Sequence, residues 1–317
     1  MAIAVVGAGV VGGILGGCLL KAGREEVILV DAFSRRLDQL RAGGLKIKDP
    51  KNCIKGDFTV AVPKAISTLC DIEPEKVAVV FICVKACMIA DIIDSLKPLA
   101  KAGAVFVSFQ NGLDTEEALA HELGGDGRIL RGVVNYAGRL LEDGAVEVSF
   151  FQKPNYLGAL SGGSSLEAAR VAAMMTQAGL ETRATDDIKT FVWEKVLLNS
   201  AMSPLCALTG LTMKDVIDRP DLKQVVEGVL REGIAVAKAS GARFPDDFFE
   251  HCAGYLSKGG RHKPSMLVDV EAKRPTEIEF LNGAIFRHGQ RLAIATPHNQ
   301  TITALIKGLE ANRQGQS

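Results

Sequence analysis

The segment Gly7-Ala8-Gly9-Val10-Val11-Gly12 constrains this chain more than any other. GxGxxG alone is a weak signal in a chain with 33 glycines. Its setting gives it weight. An apolar run at residues 3–6 reads as a strand, and residues 11–21 read as a helix ended by Gly23. A second apolar strand at 27–30 leads into Asp31, nineteen residues after Gly12. Strand, glycine turn, helix, strand and acid, at a spacing of about 20, is the dinucleotide-binding fingerprint of a Rossmann-type domain. Gly7 allows the tight turn, Gly9 lets a pyrophosphate approach the backbone, and Gly12 lets helix and strand pack closely. The loop of Gly7, Ala8, Gly9, Val10, Val11 and Gly12 then offers free N–H groups and a positive dipole end to the phosphates.

Asp31 bears on which dinucleotide binds. A carboxylate there accepts from the ribose hydroxyls and repels a 2′-phosphate, which favours NAD. Arg35 and Arg36 follow and are placed to hold a 2′-phosphate instead, so NADP stays open.

The same apolar stretch, residues 2–20, has the composition of a membrane span or signal peptide. No basic segment precedes it, and six glycines interrupt it. Gly9 and Gly13 also match a membrane-dimer motif. A buried strand and glycine turn account for the letters better. No other apolar run is long enough to span a bilayer. Lys plus Arg and Asp plus Glu number 37 each, so no global field holds nucleic acid or an anionic membrane. The seven cysteines are scattered, odd in number and without a CxxC pair. They read as reduced thiols of a cytoplasmic protein, with Cys83 and Cys87 buried in a strand and helix rather than binding metal.

The first half alternates strands with helices. Further strands are expected at 58–62, 77–84, 104–109 and 129–134, and helices at 34–42, 88–100 and 114–123. Runs this apolar suit parallel strands covered on both faces. Strands at 145–150 and 156–159 read as an antiparallel pair turning at Pro154-Asn155. A helix at 166–178, capped by Gly179, and a last strand at 180–185 follow. Beyond Asp186-Asp187 the period is helical, at 188–208, 212–219, 222–240, 246–256, 276–288 and 297–312. The expected fold is therefore α/β, with an N-terminal parallel-sheet domain at 1–186 and a C-terminal all-helical domain at 187–317. The polar tail from Arg313 is expected to fray.

In the helical half, Lys195, Asn199 and Ser203 recur every four residues and share one helix face. Pro204 would kink the helix just beyond them. A lysine flanked by apolar residues suits a general acid near neutral pH. Spacing alone describes a solvated helix face at least as well.

Taken together, the residues resemble the ketopantoate reductase (2-dehydropantoate 2-reductase) family over nearly the whole chain. The resemblance runs through GxGxxG, Val84-Lys85, Gln110-Asn111-Gly112 and the segment from Lys195 to Pro204. It continues through Lys263-Pro264-Ser265-Met266-Leu267-Val268-Asp269, Arg274-Pro275-Thr276-Glu277-Ile278-Glu279 and Asn282-Gly283. It implies reduction of a 2-oxo acid, ketopantoate above all, with NADH or NADPH, on the way to pantothenate and coenzyme A. It implies Lys195 as the acid that protonates the carbonyl oxygen and Glu277 as the group that orients it. Asn199 and Ser265 would bond the substrate, Asn111 would lie where substrate meets nicotinamide ribose, and Lys85 would lie near the cofactor. Two departures stand out. The family usually carries asparagine where this chain has Ser203, one turn along the Lys195 face. Many members also prefer NADPH and have no acid at the position of Asp31.

The remaining candidates read as structural. His121, His251, His262, His288 and His298 are not at metal-ligand spacing. Asp186-Asp187 and Asp246-Asp247 read as helix caps, and Phe248, Phe249, Phe280 and Phe286 as core. The basic loop from Lys258 to Lys263 reads as a mobile cover for a site or a solvated loop. The expected partner is a small 2-oxo acid, with no nucleic acid, membrane or metal, and a homodimer as the assembly. One alternative is the same chemistry on a branched or aromatic 2-oxo acid, motivated by Ser203. The other is a non-catalytic nucleotide-binding sensor, which would have no use for the Lys195 and Glu277 pair.

Overall fold

The apolar runs of the first half become strands. In chain order they and their helices are β1 (Ala2–Val6), α1 (Val10–Lys21), β2 (Val27–Val30), α2 (Ser34–Gly43), β3 (Leu45–Lys48) and β4 (Phe58–Val60). Next come β5 (Lys64–Ile66), β6 (Val77–Ile82), α3 (Ile89–Lys101), β7 (Val105–Ser108), α4 (Thr115–Leu123) and β8 (Ile129–Val133). The series ends with β9 (Tyr136–Leu140), β10 (Val146–Phe151), β11 (Asn155–Ala159), α5 (Leu166–Gln177) and β12 (Thr182–Ala184). The structure, a computed structural model, describes residues 1–24 and 26–314. The chain divides into two units, one of Met1–Gln110 with Thr115–Ile188 and one of Asn111–Asp114 with the residues from Lys189 on.

The first unit is built on an eight-stranded sheet, ordered β12-β11-β8-β7-β6-β1-β2-β5. From β5 to β8 every pairing is parallel, and β11 joins β8 antiparallel. Every residue of β1, β2 and β7 is buried, which is why these strands carry almost no polar letters. The strand order reverses between β1 and β6, the place where a doubly wound sheet binds its ligand. A second sheet, β4-β3-β10-β9, covers α1. The glycines of α1 explain how one helix fits between two sheets. A Cβ at Gly16 would lie 2.7 Å from Leu29 of β2, and one at Gly17 would lie 3.1 Å from Ile47 of β3. Gly13, one of the two glycines that match the membrane-dimer motif, also serves packing, since a Cβ there would lie 3.0 Å from Val146 of β10.

The structure departs from expectation in its strand pairing and at two cysteines. Residues 145–150 and 156–159 do not pair with each other. β10 pairs with β9 and β3, whereas β11 pairs with β8 and β12 in the other sheet. The chain changes sheet through a cis Lys153–Pro154 peptide, so the turn residues mark a crossing and not a hairpin. The strand at Tyr136–Leu140, which completes β10's pairing, was not foreseen because its alternation is weak. Cys83 is half-buried and Cys87 exposed, because the chain leaves β6 before them.

The second unit is helical: α6 (Ile188–Thr209), α7 (Met213–Ile217), α8 (Pro220–Ala239), α9 (Phe248–Ser257), α10 (Ser265–Glu271), α11 (Asn282–Arg291) and α12 (Pro297–Gln314). α10 was not foreseen. The single helix expected at 276–288 is broken into a short 3-10 turn, Ile278–Phe280, and α11. The Phe280 carbonyl instead accepts from the Leu113 N–H at 2.9 Å, and Leu281 turns out of helical geometry with ψ −103°. Asp247 stands at the N-cap of α9, but its side chain makes no capping bond. Residues 313 and 314 close α12, and the rest of the tail expected to fray lies outside the described residues. Among the described residues, no helix is long and apolar enough to cross a membrane. Nor does any cluster of three or more His, Cys, Asp or Glu suit a metal.

Candidate active site

In the first unit the glycine loop follows β1 at the strand-order reversal. Gly7 has φ +95°, and a Cβ there would lie 2.8 Å from Val84 N and 2.9 Å from Cys83 C. Only glycine lets this turn lie against the chain leaving β6. A Cβ at Gly12 would lie 2.0 Å from the Gly7 carbonyl oxygen. Gly9 differs from both. Its φ is −73°, and a Cβ there would meet nothing within 4 Å. A side chain at Gly9 would fill open space at the start of α1, where a pyrophosphate would have to come close. No side chain caps the start of α1, which leaves its first N–H groups for an anion. The residues present therefore fit a bound dinucleotide.

Asp31, half-buried after β2, shapes the same loop. Its Oδ2 accepts from Ala8 N–H at 2.9 Å and its Oδ1 from Phe33 N–H at 3.0 Å. Arg36 grips Ala8 from the other side. It is 5% exposed, donating from Nε to the Ala8 carbonyl at 2.8 Å and from Nη1 to the Gly144 carbonyl at 2.6 Å. Arg36 is thus committed to the loop's interior. Burial lowers its pKa, and the neighbouring Asp31 charge partly offsets that. Arg35 is exposed and donates to the Glu142 carbonyl at 3.4 Å. Lys85 is half-buried just past β6, before a 3-10 turn. Gln110 braces the same strand ends, donating from Nε2 to the carbonyls of Ile82 and Val84 at 3.1 and 3.3 Å. Ser108 donates to Gln110 Oε1 and accepts from buried Arg131 at 3.2 Å. Arg131 pairs with buried Glu116 at 3.5 Å. No local pattern in the sequence marks this network, because its members come from separate elements.

The second unit gathers the other candidates. Asn111 donates from Nδ2 to Glu277 Oε2 at 3.1 Å, bringing together residues 166 apart in the chain. Glu277 is 9% exposed. The segment Asn111–Asp114 is fastened at three further points. A Cβ at Gly112, where φ is +105°, would lie 2.5 Å from Phe280, so only glycine fits. The Leu113 N–H bonds the Phe280 carbonyl. Asp114 accepts from His288 Nε2 at 2.8 Å, and the His288 ring meets Trp193 edge-on at 5.5 Å between centroids. His288 thus joins the Asn111–Asp114 segment to α6. On α6, Lys195 and Asn199 stand half-buried one turn apart, with Ser203 buried a turn further on and Trp193, Val196 and Leu197 packed inward. Ser265 is exposed on the first turn of α10. Next to Lys195, Glu194 lies 3.8 Å from His251, and burial raises its pKa against the pull of that histidine.

A glycine loop at a sheet reversal in one unit, and a half-buried lysine and a buried carboxylate in the other, are features of nicotinamide-dependent oxidoreductases. Comparison with known proteins gives the family. The model described as "Ketopantoate reductase PanE/ApbA" matches residues 3–162, and "Ketopantoate reductase PanE/ApbA C terminal" matches residues 187–310. A 2-dehydropantoate 2-reductase of Archaeoglobus fulgidus is 30% identical over 310 residues, covering 98% of each chain. The crystal structure of a PanE/ApbA family ketopantoate reductase from Ralstonia eutropha JMP134 is similar at TM-score 0.88 and 29% identity, over 99% of this chain and 100% of that one. The ternary structure of D-mandelate dehydrogenase with NADH and anilino(oxo)acetate is similar at TM-score 0.87 and 25% identity, over 99% of both chains. The chain belongs to the ketopantoate reductase family.

Proposed function

We propose that this enzyme reduces ketopantoate to pantoate, with the domain at 1–186 holding the cofactor and the domain at 187–317 carrying the acid. The observation that carries this reading is the bond from Asn111 to Glu277, which fixes a buried carboxylate in the helical unit whose α6 bears Lys195. Full-length likeness to relatives named 2-dehydropantoate 2-reductase supports the substrate. When bound, the reduced nicotinamide supplies a hydride to the carbonyl carbon. Lys195 gives a proton from Nζ to the carbonyl oxygen as negative charge grows there, and its ammonium stabilises that charge beforehand. Glu277 orients the lysine and is itself held by Asn111. Asn199 and Ser265 hydrogen-bond the 2-oxo acid, so the ketone is presented in one orientation.

NAD is the preferred form in this reading. Asp31 carries a negative charge where a 2′-phosphate would sit, and Arg36, the stronger phosphate candidate in the sequence, is buried on loop carbonyls. The D-mandelate dehydrogenase neighbour was solved with NADH.

One observation favours a second substrate. Ser203 is 5% exposed and offers a single short hydroxyl. A site lacking a longer amide there suits a bulkier, less polar 2-oxo acid, such as an aromatic one. Steady-state kinetics on a panel of 2-oxo acids with NADH and NADPH decide between them. Ketopantoate should give the highest kcat/KM, with NADH ahead of NADPH. Comparable or better turnover of an analogue without the distal hydroxyl would overturn the ketopantoate assignment.

A further inference from the structure

Pro204 lies inside α6, with helix continuing to Thr209. Proline has no N–H, so the carbonyl four residues earlier, that of Ser200, loses its helical donor. Ser200 is fully buried, so that carbonyl has no route to bulk water. The donor comes from another helix. Asn282, the first residue of α11 and also fully buried, points Nδ2 at the Ser200 carbonyl from 3.1 Å. Its second N–H points at Asn299 Oδ1, also at 3.1 Å. A carbonyl oxygen can only accept, so the amide of Asn282 must face Ser200 with its nitrogen. Asn299 is held in turn, donating from Nδ2 to Glu232 Oε2 at 2.8 Å and to the Val229 carbonyl at 3.4 Å. Glu232 also accepts from the backbone N–H groups of His298 and Asn299, at 2.8 and 3.0 Å. A chain of polar groups therefore runs from α8 through the start of α12 to one peptide of α6.

Ser200 directly follows Asn199, and its carbonyl belongs to the turn of α6 next after the one bearing Lys195 and Asn199. We infer that Asn282 is a positioning residue for the reaction. It replaces the N–H that Pro204 lacks and so fixes α6 directly beyond the turn from which Lys195 and Asn199 project. This rests on the role proposed above for Lys195. Asn282 touches neither substrate nor cofactor; it acts through the Ser200 carbonyl.

The test is a double-mutant cycle between positions 282 and 204. Asn282→Leu removes the donor at similar size. Pro204→Ala restores the helical N–H to Ser200. The bond to Asn299 is lost in both backgrounds and cancels. Asn282→Leu should lower kcat about tenfold, well below the melting temperature, with the Kd for NADH unchanged and the pH profile of kcat displaced. In the Pro204→Ala background the same change should cost less than about threefold, and the pH profile should return. Equal loss in both backgrounds, or no loss in either, would overturn the proposal. If Asn282→Leu does not fold, the double variant should, with a kcat near that of Pro204→Ala; a double variant that also fails to fold counts against the proposal. Lys195→Ala is measured alongside. Near-normal kcat in that variant would remove the acid, while the coupling between 204 and 282 would still be read from melting temperatures.

Discussion

The glycine loop and the polar set of the helical unit are built on opposite principles. The loop works by removing side chains. Gly7 and Gly12 have none because backbone stands within 3 Å, and what it offers a ligand is N–H groups and a helix end. Its parts lie within a few residues of one another. The helical unit works by placing side chains. Asn111, Glu277, Asn282 and Asn299 come from distant positions and are held by buried or half-buried hydrogen bonds. A backbone site tolerates many sequences around its glycines. A side-chain site fails when one member or its support is lost, because a buried partner is left unsatisfied. Binding and chemistry should therefore separate cleanly under mutation.

Lys195→Ala gives that contrast its largest test. It should cut kcat by about 10²-fold or more, the scale of a lost general acid, while NADH affinity measured by fluorescence titration stays unchanged. A normal kcat would leave the helical unit without its acid. Within the loop, Gly12→Ala and Gly9→Ala should part company. The new methyl at 12 meets the Gly7 carbonyl at 2.0 Å, so the loop must move, at a cost of about 1–3 kcal/mol and a lower melting temperature. The methyl at 9 meets no protein atom, so the melting temperature should hold while the Kd for NADH rises about tenfold or more. Equal affinities for wild type and Gly9→Ala would mean that no pyrophosphate approaches there. A smaller change is expected of Asp31→Asn, whose ratio of NADH to NADPH kcat/KM should move toward NADPH. Because Asp31 also accepts from Ala8, affinity for both cofactors should weaken somewhat. An unchanged ratio would hand the choice of cofactor to Arg35.

This contrast also explains what the sequence made legible. The loop could be read directly, because strand, turn, helix and acid are local and each glycine has a local reason. The α/β class could be read because buried parallel strands are apolar throughout. The β10 and β11 pairings could not, since antiparallel partners are chosen by contacts across two sheets and not by the turn between them. The helical break at Leu281 was hidden for a similar reason: the segment that accounts for it, Asn111–Asp114, lies about 170 residues earlier. Lys195, Asn199 and Ser203 were visible as a stripe, yet only resemblance to a family separated them from a solvated face. Asn282 was visible as part of a motif, but its role depends on Pro204, 78 residues away, and no periodicity couples the two.

The mildest test concerns how the loop of Asn111 is anchored. Burial pushes the Asp114 carboxyl up, but the hydrogen bond from His288 and the charges of His288, Arg291 and Arg287 outweigh it. The group is held below its ordinary value. A carboxylate depressed in the folded state adds stability that is fully present above its unfolded pKa, about 3.9. That stability fades as pH falls through the lower, folded value. Stability measured by urea unfolding should therefore drop between about pH 5 and pH 2 more steeply in the wild type than in Asp114→Asn. Asparagine tolerates the left-handed backbone found at this position, where φ is +66°, so the variant isolates the charge from the turn. If the two curves run parallel, the bond to His288 adds no charge-dependent stability. The anchoring of Asn111 would then rest on Gly112, Phe280 and the Leu113 N–H alone, and the helical unit would share more of the loop's backbone logic than its side chains suggest.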